Sequence, residues 1–147
     1  GKMNEKADRL IQIGETALYA AIKKVRHGTP IRTLSESIQQ IIEKNGCSVI
    51  RELIGHGIGK KLHEDPQIPN FGADAPNFIL RTGMTIAIEP IFCAGKPWIE
   101  TLEDNWNIIT KDGSPAMQVE HTVAITNDGC EILTKREELD PVYPILI

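Results

Sequence analysis

Met117-Gln118-Val119-Glu120-His121-Thr122-Val123-Ala124-Ile125 is followed, one residue on, by Asn127-Asp128-Gly129 and then by Cys130-Glu131-Ile132-Leu133-Thr134. In a strand, successive side chains alternate faces, so Val119, Val123 and Ile125 share one face while Glu120 shares the other with Gln118 and Thr122. The Asn-Asp-Gly turn folds the second run back on the first as an antiparallel hairpin. Met84-Thr85-Ile86-Ala87-Ile88-Glu89-Pro90 has the same design. Met84, Ile86 and Ile88 point one way, and Glu89 ends the small-residue face formed with Thr85 and Ala87. Residues 48–54, 98–102 and 106–110 add further β-rich runs, with Asp112-Gly113 as a turn.

Upstream of these runs the apolar period lengthens. Leu10, Ile13, Ala17, Ala21 and Val25 recur at three- and four-residue steps, which predicts a helix over residues 4–26. Lys23, Lys24 and Arg26 suit its negative end, His27 falls in its last turn as a structural residue, and Gly28 and Pro30 stop it. A second helix is expected to open at Thr33, with Glu36 completing a capping box and Leu34, Ile38, Ile41 and Ile42 as its buried stripe. Asn45-Gly46 closes it. The class is α+β, two helices packed on an antiparallel sheet. Residues 1–147 read as a single domain whose tail, 140–147, leaves as an extended strap marked by Pro141 and Pro144.

Bulk properties narrow the function classes. With 147 residues, 41% of them hydrophobic, the chain is long enough to bury a core. A net charge of -4 with interspersed signs offers no basic block for a phosphate backbone, which argues against nucleic acid. No apolar run approaches the ~20 residues of a membrane span, and Gly1-Lys2-Met3-Asn4 does not begin a signal peptide, so a cytoplasmic protein is expected. Cys47, Cys93 and Cys130 lack C-x-x-C spacing and read as reduced core residues; Cys93, near the Glu89 strand, reads as a buried thiol. Trp98 and Trp106 lie in strand-like runs, where packing is the ordinary role of a tryptophan.

Three positions carry the chemistry. His56 stands in Gly55-His56-Gly57-Ile58-Gly59, where flanking glycines let backbone approach closely and hold the imidazole at a sharp bend. His63 follows seven residues later, a spacing unlike the H-E-x-x-H of helical zinc peptidases. Glu89 and Glu120 each place a carboxylate on an otherwise apolar strand, which is costly unless the charge is paired or bound to a cation. For each there is a plainer reading: a histidine satisfied inside a glycine turn, and two glutamates on solvent-facing strand faces. His121 points to the strand face opposite Glu120 and is not a ligand candidate.

Gly55-His56-Gly57-Ile58-Gly59, Leu62-His63-Glu64-Asp65-Pro66-Gln67, Gly83 through Pro90, Asn105-Trp106, Thr110-Lys111-Asp112, Glu120-His121-Thr122 and Gly129 through Thr134 together resemble the type I methionine aminopeptidases, in the same order and at similar spacing. The resemblance covers essentially the whole chain and implies the second half of that family's pita-bread catalytic domain. The Gly-His-Gly turn and the two strand glutamates are shared with aminopeptidase P and prolidase, a related class of hydrolase. The stretch from Lys111 to Thr122 and the strand from Cys130 to Thr134 tilt the likeness to the methionine enzymes.

The resemblance implies a hydrolase that removes amino-terminal methionine from nascent proteins and peptides. His56, Glu89 and Glu120 would be metal ligands of a centre of two divalent ions (cobalt, manganese, iron or zinc), with Glu120 bridging. Glu89 would also carry the proton of the attacking water, and His63 would steady the tetrahedral intermediate. Trp106 and Leu62 would wall the methionine pocket, although Leu62 replaces the aromatic residue usual in the family. The family's remaining ligands, two aspartates, and a further substrate histidine belong to its first half, before Gly1. Asp8, Asp65, Asp74 and Asp104 match no such motif. A separate first-half chain or a homodimer partner is therefore expected to complete the site, and the rival expectation is a non-catalytic binding module.

Overall fold

The computed structural model describes residues 4–73 and 75–136. Helix α1 (Glu5–Ile22) starts where Asn4 Oδ1 accepts the Ala7 N–H at 2.8 Å, a side-chain cap on an otherwise orphaned donor. It stops four residues earlier than its apolar period suggests. The Lys24 and Val25 N–H groups bond back only three residues, and Gly28 then turns the chain with a φ of 87°. Lys23, Lys24 and Arg26 consequently lie in the exit turn, not in the last helical turn. His27 is not helical either: its N–H donates to Thr126 O, and its Nδ1 accepts the Thr82 N–H at 3.3 Å.

Helix α2 (Ile31–Lys44) opens two residues before the expected Thr33 cap, with Pro30 in the capping position and no side-chain cap. The fully buried Ile31 explains the shift, because its N–H donates to Phe78 O at 3.0 Å and needs no hydroxyl. Asn45 and Gly46, at φ 76°, end the helix as expected. Leu18, Ile31, Leu34, Ile38 and Ile42 from the helices meet Ile86, Ile88, Phe92 and Val123 from the strands in one core. Gly14 permits this approach, since a methyl there would sit 3.0 Å from Val119 Cγ1 and 3.3 Å from Phe92 Cε1.

The strands are β1 (Ser48–Val49), β2 (Gly55–Gly57), β3 (Glu64–Ile68), β4 (Thr85–Ile88), β5 (Ile91–Cys93), β6 (Ile99–Thr101), β7 (Ile108–Thr110), β8 (Ala116–Gln118), β9 (His121–Ile125) and β10 (Cys130–Ile132). Every pairing is antiparallel. The sequence suggests one sheet; the structure divides it into a five-stranded sheet ordered β10-β9-β4-β2-β3, a three-stranded sheet β1-β5-β8 and a ribbon β6-β7. Both quoted strand runs break where their glutamates stand. Pro90 has no N–H to give a ladder, so the chain leaves β4 at Glu89 and enters β5 in the other sheet. The same crossing occurs between β8 and β9 at Val119-Glu120, and between β1 and β2 over residues 50–54. The Val119 N–H donates to Pro90 O at 3.3 Å, joining two of these crossings along a seam. Strand β3 carries no alternating sequence signal because Pro66 interrupts it; it lies at a sheet edge, where proline is tolerated.

Cys93 is buried, with Sγ 3.1 Å from Lys96 O, as expected. Cys47 and Cys130 are half-buried free thiols whose pKa values burial raises. The strap at 140–147 lies outside the described residues. No helix among the described residues is long and apolar enough to cross a membrane.

Candidate metal centre

His56 occupies the middle of β2 and not a bend, paired with Ala87 of β4 on one side and Gln67 of β3 on the other. A register shift between His56 and Gly57 takes up the irregularity that the glycines announce. The glycines serve close approach, as their placement suggests. A methyl on Gly55 would overlap the Ala87 carbonyl oxygen, and one on Gly57 the Asp65 carbonyl. Neighbouring backbones thus fix the β2 position that carries the imidazole.

The ring itself is oriented. His56 Nδ1 lies 2.8 Å from Gly57 O, and a carbonyl only accepts, so Nδ1 carries a proton and Nε2 is the nitrogen left for other partners. That nitrogen faces Glu89 Oε1 at 3.6 Å. Glu89 Oε2 accepts the Gln118 Nε2–H at 3.0 Å. Only 8% of Glu89 is exposed. Burial first, and the negative charge of Glu120 second, push its carboxyl up to about 7, against smaller opposing effects of His56 and the Gln118 hydrogen bond.

His63 stacks edge-on against His56, with centroids 4.2 Å apart, and is itself exposed. Both imidazoles line a groove of about 590 Å³ with Ile54, Lys61, Glu64 and Gln67. Glu120 lies at the next sheet crossing, exposed, near enough for its charge to act on Glu89. His121, one residue on, is fully buried and faces away; Tyr19 Oη lies 3.0 Å from its Nε2, and Thr134 Oγ1 lies 3.0 Å from its Nδ1.

The two proposed wall residues are not gathered as tightly. Leu62 is 68% exposed. Trp106 is 85% exposed and sits in the turn of the β6-β7 ribbon, not in a strand, because Asp104 Oδ1 caps the Trp106 and Asn107 N–H groups and bends the chain there. It does line an apolar groove with Leu53, Ile91 and Ile108 that reaches Gln118, the donor to Glu89. Trp98 is also exposed, under the Lys96 ammonium at 5.0 Å, so neither tryptophan packs in the core. Gln118 was legible only as a neighbour of Glu120 on one strand face, and its period-two spacing was the available signal.

A divalent cation suits what is present. A neutral imidazole with its second nitrogen held by a carbonyl is the usual state of a ligating histidine, and a buried carboxyl strained by a second carboxylate is relieved by a cation. The mixed oxygen and nitrogen donors match cobalt, manganese, iron or zinc. Among the described residues, however, no three acidic, imidazole or thiol groups converge enough to enclose an ion, so the wall is partial.

A family model described as metallopeptidase family M24 matches residues 1–127. A methionine aminopeptidase of Escherichia coli (strain K12) is 42% identical over all 147 residues, which span 55% of that protein. The structure of a methionine aminopeptidase from Thermotoga maritima superposes with a TM-score of 0.87 at 43% identity, covering 92% of this chain and 55% of that one. A prolidase from Pyrococcus furiosus gives 0.71 at 29% identity, covering 93% of this chain and 35% of that one. The chain therefore spans about half the length of the curated relatives it matches, and its two helices on antiparallel sheets correspond to about half of a pita-bread fold.

Proposed function

Because the chain belongs to metallopeptidase family M24, we propose that it supplies one wall of a methionine aminopeptidase, acting in the cytoplasm on amino-terminal methionine peptides and nascent chains. The observation that carries this reading is the His56, Glu89 and Gln118 constellation, an imidazole oriented by the Gly57 carbonyl and facing a buried carboxylate that Gln118 holds. The 42% identity to a methionine aminopeptidase supports the substrate, and three free thiols suit a reducing compartment.

His56, through Nε2, Glu89 and Glu120 would hold two divalent ions, with the remaining donors supplied by chain beyond this sequence. A divalent-metal centre held by these residues would supply water acidification and neutralisation of negative charge at a scissile amide. Glu89, whose carboxylate lies 3.6 Å from His56 Nε2 and is held by Gln118, would be the group placed to accept a proton from an attacking water and return it to the leaving amine. Gln118 keeps the other carboxylate oxygen occupied and so fixes the plane of the group. His63, in the same groove, donates to the amide, while Trp106 and Leu62 border the methionine side chain.

The test is complementation. Adding the first half of a family relative, with cobalt, manganese, iron or zinc in turn, restores release of methionine from a Met-Ala-Ser peptide, and Glu89→Gln lowers turnover by on the order of 10²–10⁴-fold. No release with any of the four metals overturns the reading. One observation favours a second reading, a non-catalytic module: Glu120 is exposed and the described donors do not close around an ion. It predicts weak metal uptake and no turnover under any complementation.

A further inference from the structure

Asn70 follows Pro69 just beyond β3, belongs to no regular element and is fully buried. Its Nδ2 donates to Glu89 O at 2.9 Å and, at 3.4 Å, to Leu53 O. These two carbonyls mark two sheet crossings, β4 to β5 and β1 to β2. A third crossing, β8 to β9, is tied to the first by the Val119 N–H on Pro90 O. One amide thus bridges the segment that leads into His56 and the residue that bears the Glu89 carboxylate.

The orientation of that amide is determined. Flipping it would set Oδ1 against two carbonyl oxygens, so the NH₂ group must face them. Oδ1 is then a buried acceptor without a hydrogen-bond partner among the described residues. A buried unpaired acceptor is costly. The amide tolerates that cost where its two donors hold carbonyls that lie outside both ladders, at the points where ladder bonds cannot fix the backbone.

We propose that Asn70 is a positioning residue, which sets the separation of His56 and Glu89 by clamping the Leu53 and Glu89 carbonyls across the seam between the two sheets. The proposal takes Glu89 and His56 as functional residues, as argued above. It requires only that Asn70 hold them, so it is tested without metal as well as with it.

Three variants are compared in the intact protein: Asn70→Leu, which keeps the volume and removes both donors; Asn70→Asp, which keeps the shape and places acceptors against carbonyls; and Ile68→Val, a buried neighbour that loosens packing alone. In the metal-free protein, hydrogen exchange at the Val119 amide accelerates about tenfold in both Asn70 variants beyond any change in global stability, and not in Ile68→Val. Cobalt affinity by calorimetry falls about 10- to 100-fold in the Asn70 variants, and within about threefold of the parent in Ile68→Val. Exchange at Val119 that merely follows global stability in whichever Asn70 variant folds overturns the proposal. A parent protein that takes up no cobalt while the exchange result holds counts against the proposed function and leaves the clamp standing.

Discussion

Gly55→Ala should be far more damaging than Gly59→Ala, although the two glycines are four residues apart. A methyl on Gly55 overlaps the Ala87 carbonyl oxygen and comes within 3.3 Å of its carbonyl carbon and 3.2 Å of Ile68 Cβ. Carbon and carbonyl oxygen settle at about 3.3–3.6 Å, so β2 must move from β4 by roughly 1 Å, about a fifth of the spacing between strands. Ladder bonds near 2.9 Å do not survive that stretch. Two lost backbone bonds at about 1 kcal/mol each, with overpacking of about 1–3 kcal/mol, give a loss of about 3–5 kcal/mol. At Gly59 the methyl meets the end of the Glu64 side chain, 2.9 Å from its Cδ, and that side chain can swing away. The loss there is the Glu64 bond to the Lys61 N–H, about 1 kcal/mol, partly offset by the lower chain entropy of alanine in the unfolded state. In urea, with a slope of about 1.5 kcal/mol/M, Gly55→Ala lowers the midpoint by about 2–3 M, and Gly59→Ala by under about 1 M. Equal midpoints for the two variants would refute the argument that backbone crowding makes Gly55 necessary.

Two further outcomes follow from hydrogen bonds. Asp112 accepts the Lys96 and Ser114 N–H groups at 2.7 and 3.0 Å, which holds its carboxyl down at about 2. A depressed carboxylate stabilises the fold above its unfolded value near 3.8 and loses that effect as pH falls through 2; Asp112→Asn should therefore melt below the parent at pH 7 and converge on it by pH 2, and a gap that stays constant with pH contradicts the assignment. Tyr19→Phe removes the hydroxyl that meets His121 at 3.0 Å and should cost about 1–2 kcal/mol in chemical denaturation; an unchanged midpoint would mean that the link between α1 and β9 contributes nothing.

The two helices and the antiparallel strands were legible because periods of 3.6 and 2 report local burial. Where the elements end was less so. Ile31 starts α2 because a distant carbonyl, Phe78 O, satisfies its N–H, and no local pattern encodes that partner. Residues 84–91 and 118–125 looked continuous because both sides of each break are apolar, while the break itself depends on Pro90 and on which sheet receives the chain. The candidate centre divides in the same way. His56, Glu89 and His63 could be singled out by residue type and flanking glycines, and the structure brings their elements together. Trp106 and Leu62 rested on likeness, and their side chains are open to solvent. Asn70 had no signal, since its partners are main-chain atoms at positions 53 and 89.

Among the described residues the β6-β7 ribbon pairs only with itself, and its turn is folded by Asp104 through bonds two and three residues away. Its base is tied in, since Ile99 packs against Ile50, Ile91 and Cys93, but the turn that carries Trp106 is shaped by its own short sequence. Tolerance to change thus differs within a short distance: an exposed turn at Trp106, and a strand β2 where a single methyl on Gly55 or Gly57 meets neighbouring backbone. A change at the Trp106 turn therefore reshapes one edge of the groove that reaches Gln118, while the pairing of β2 with β4 stays as it is.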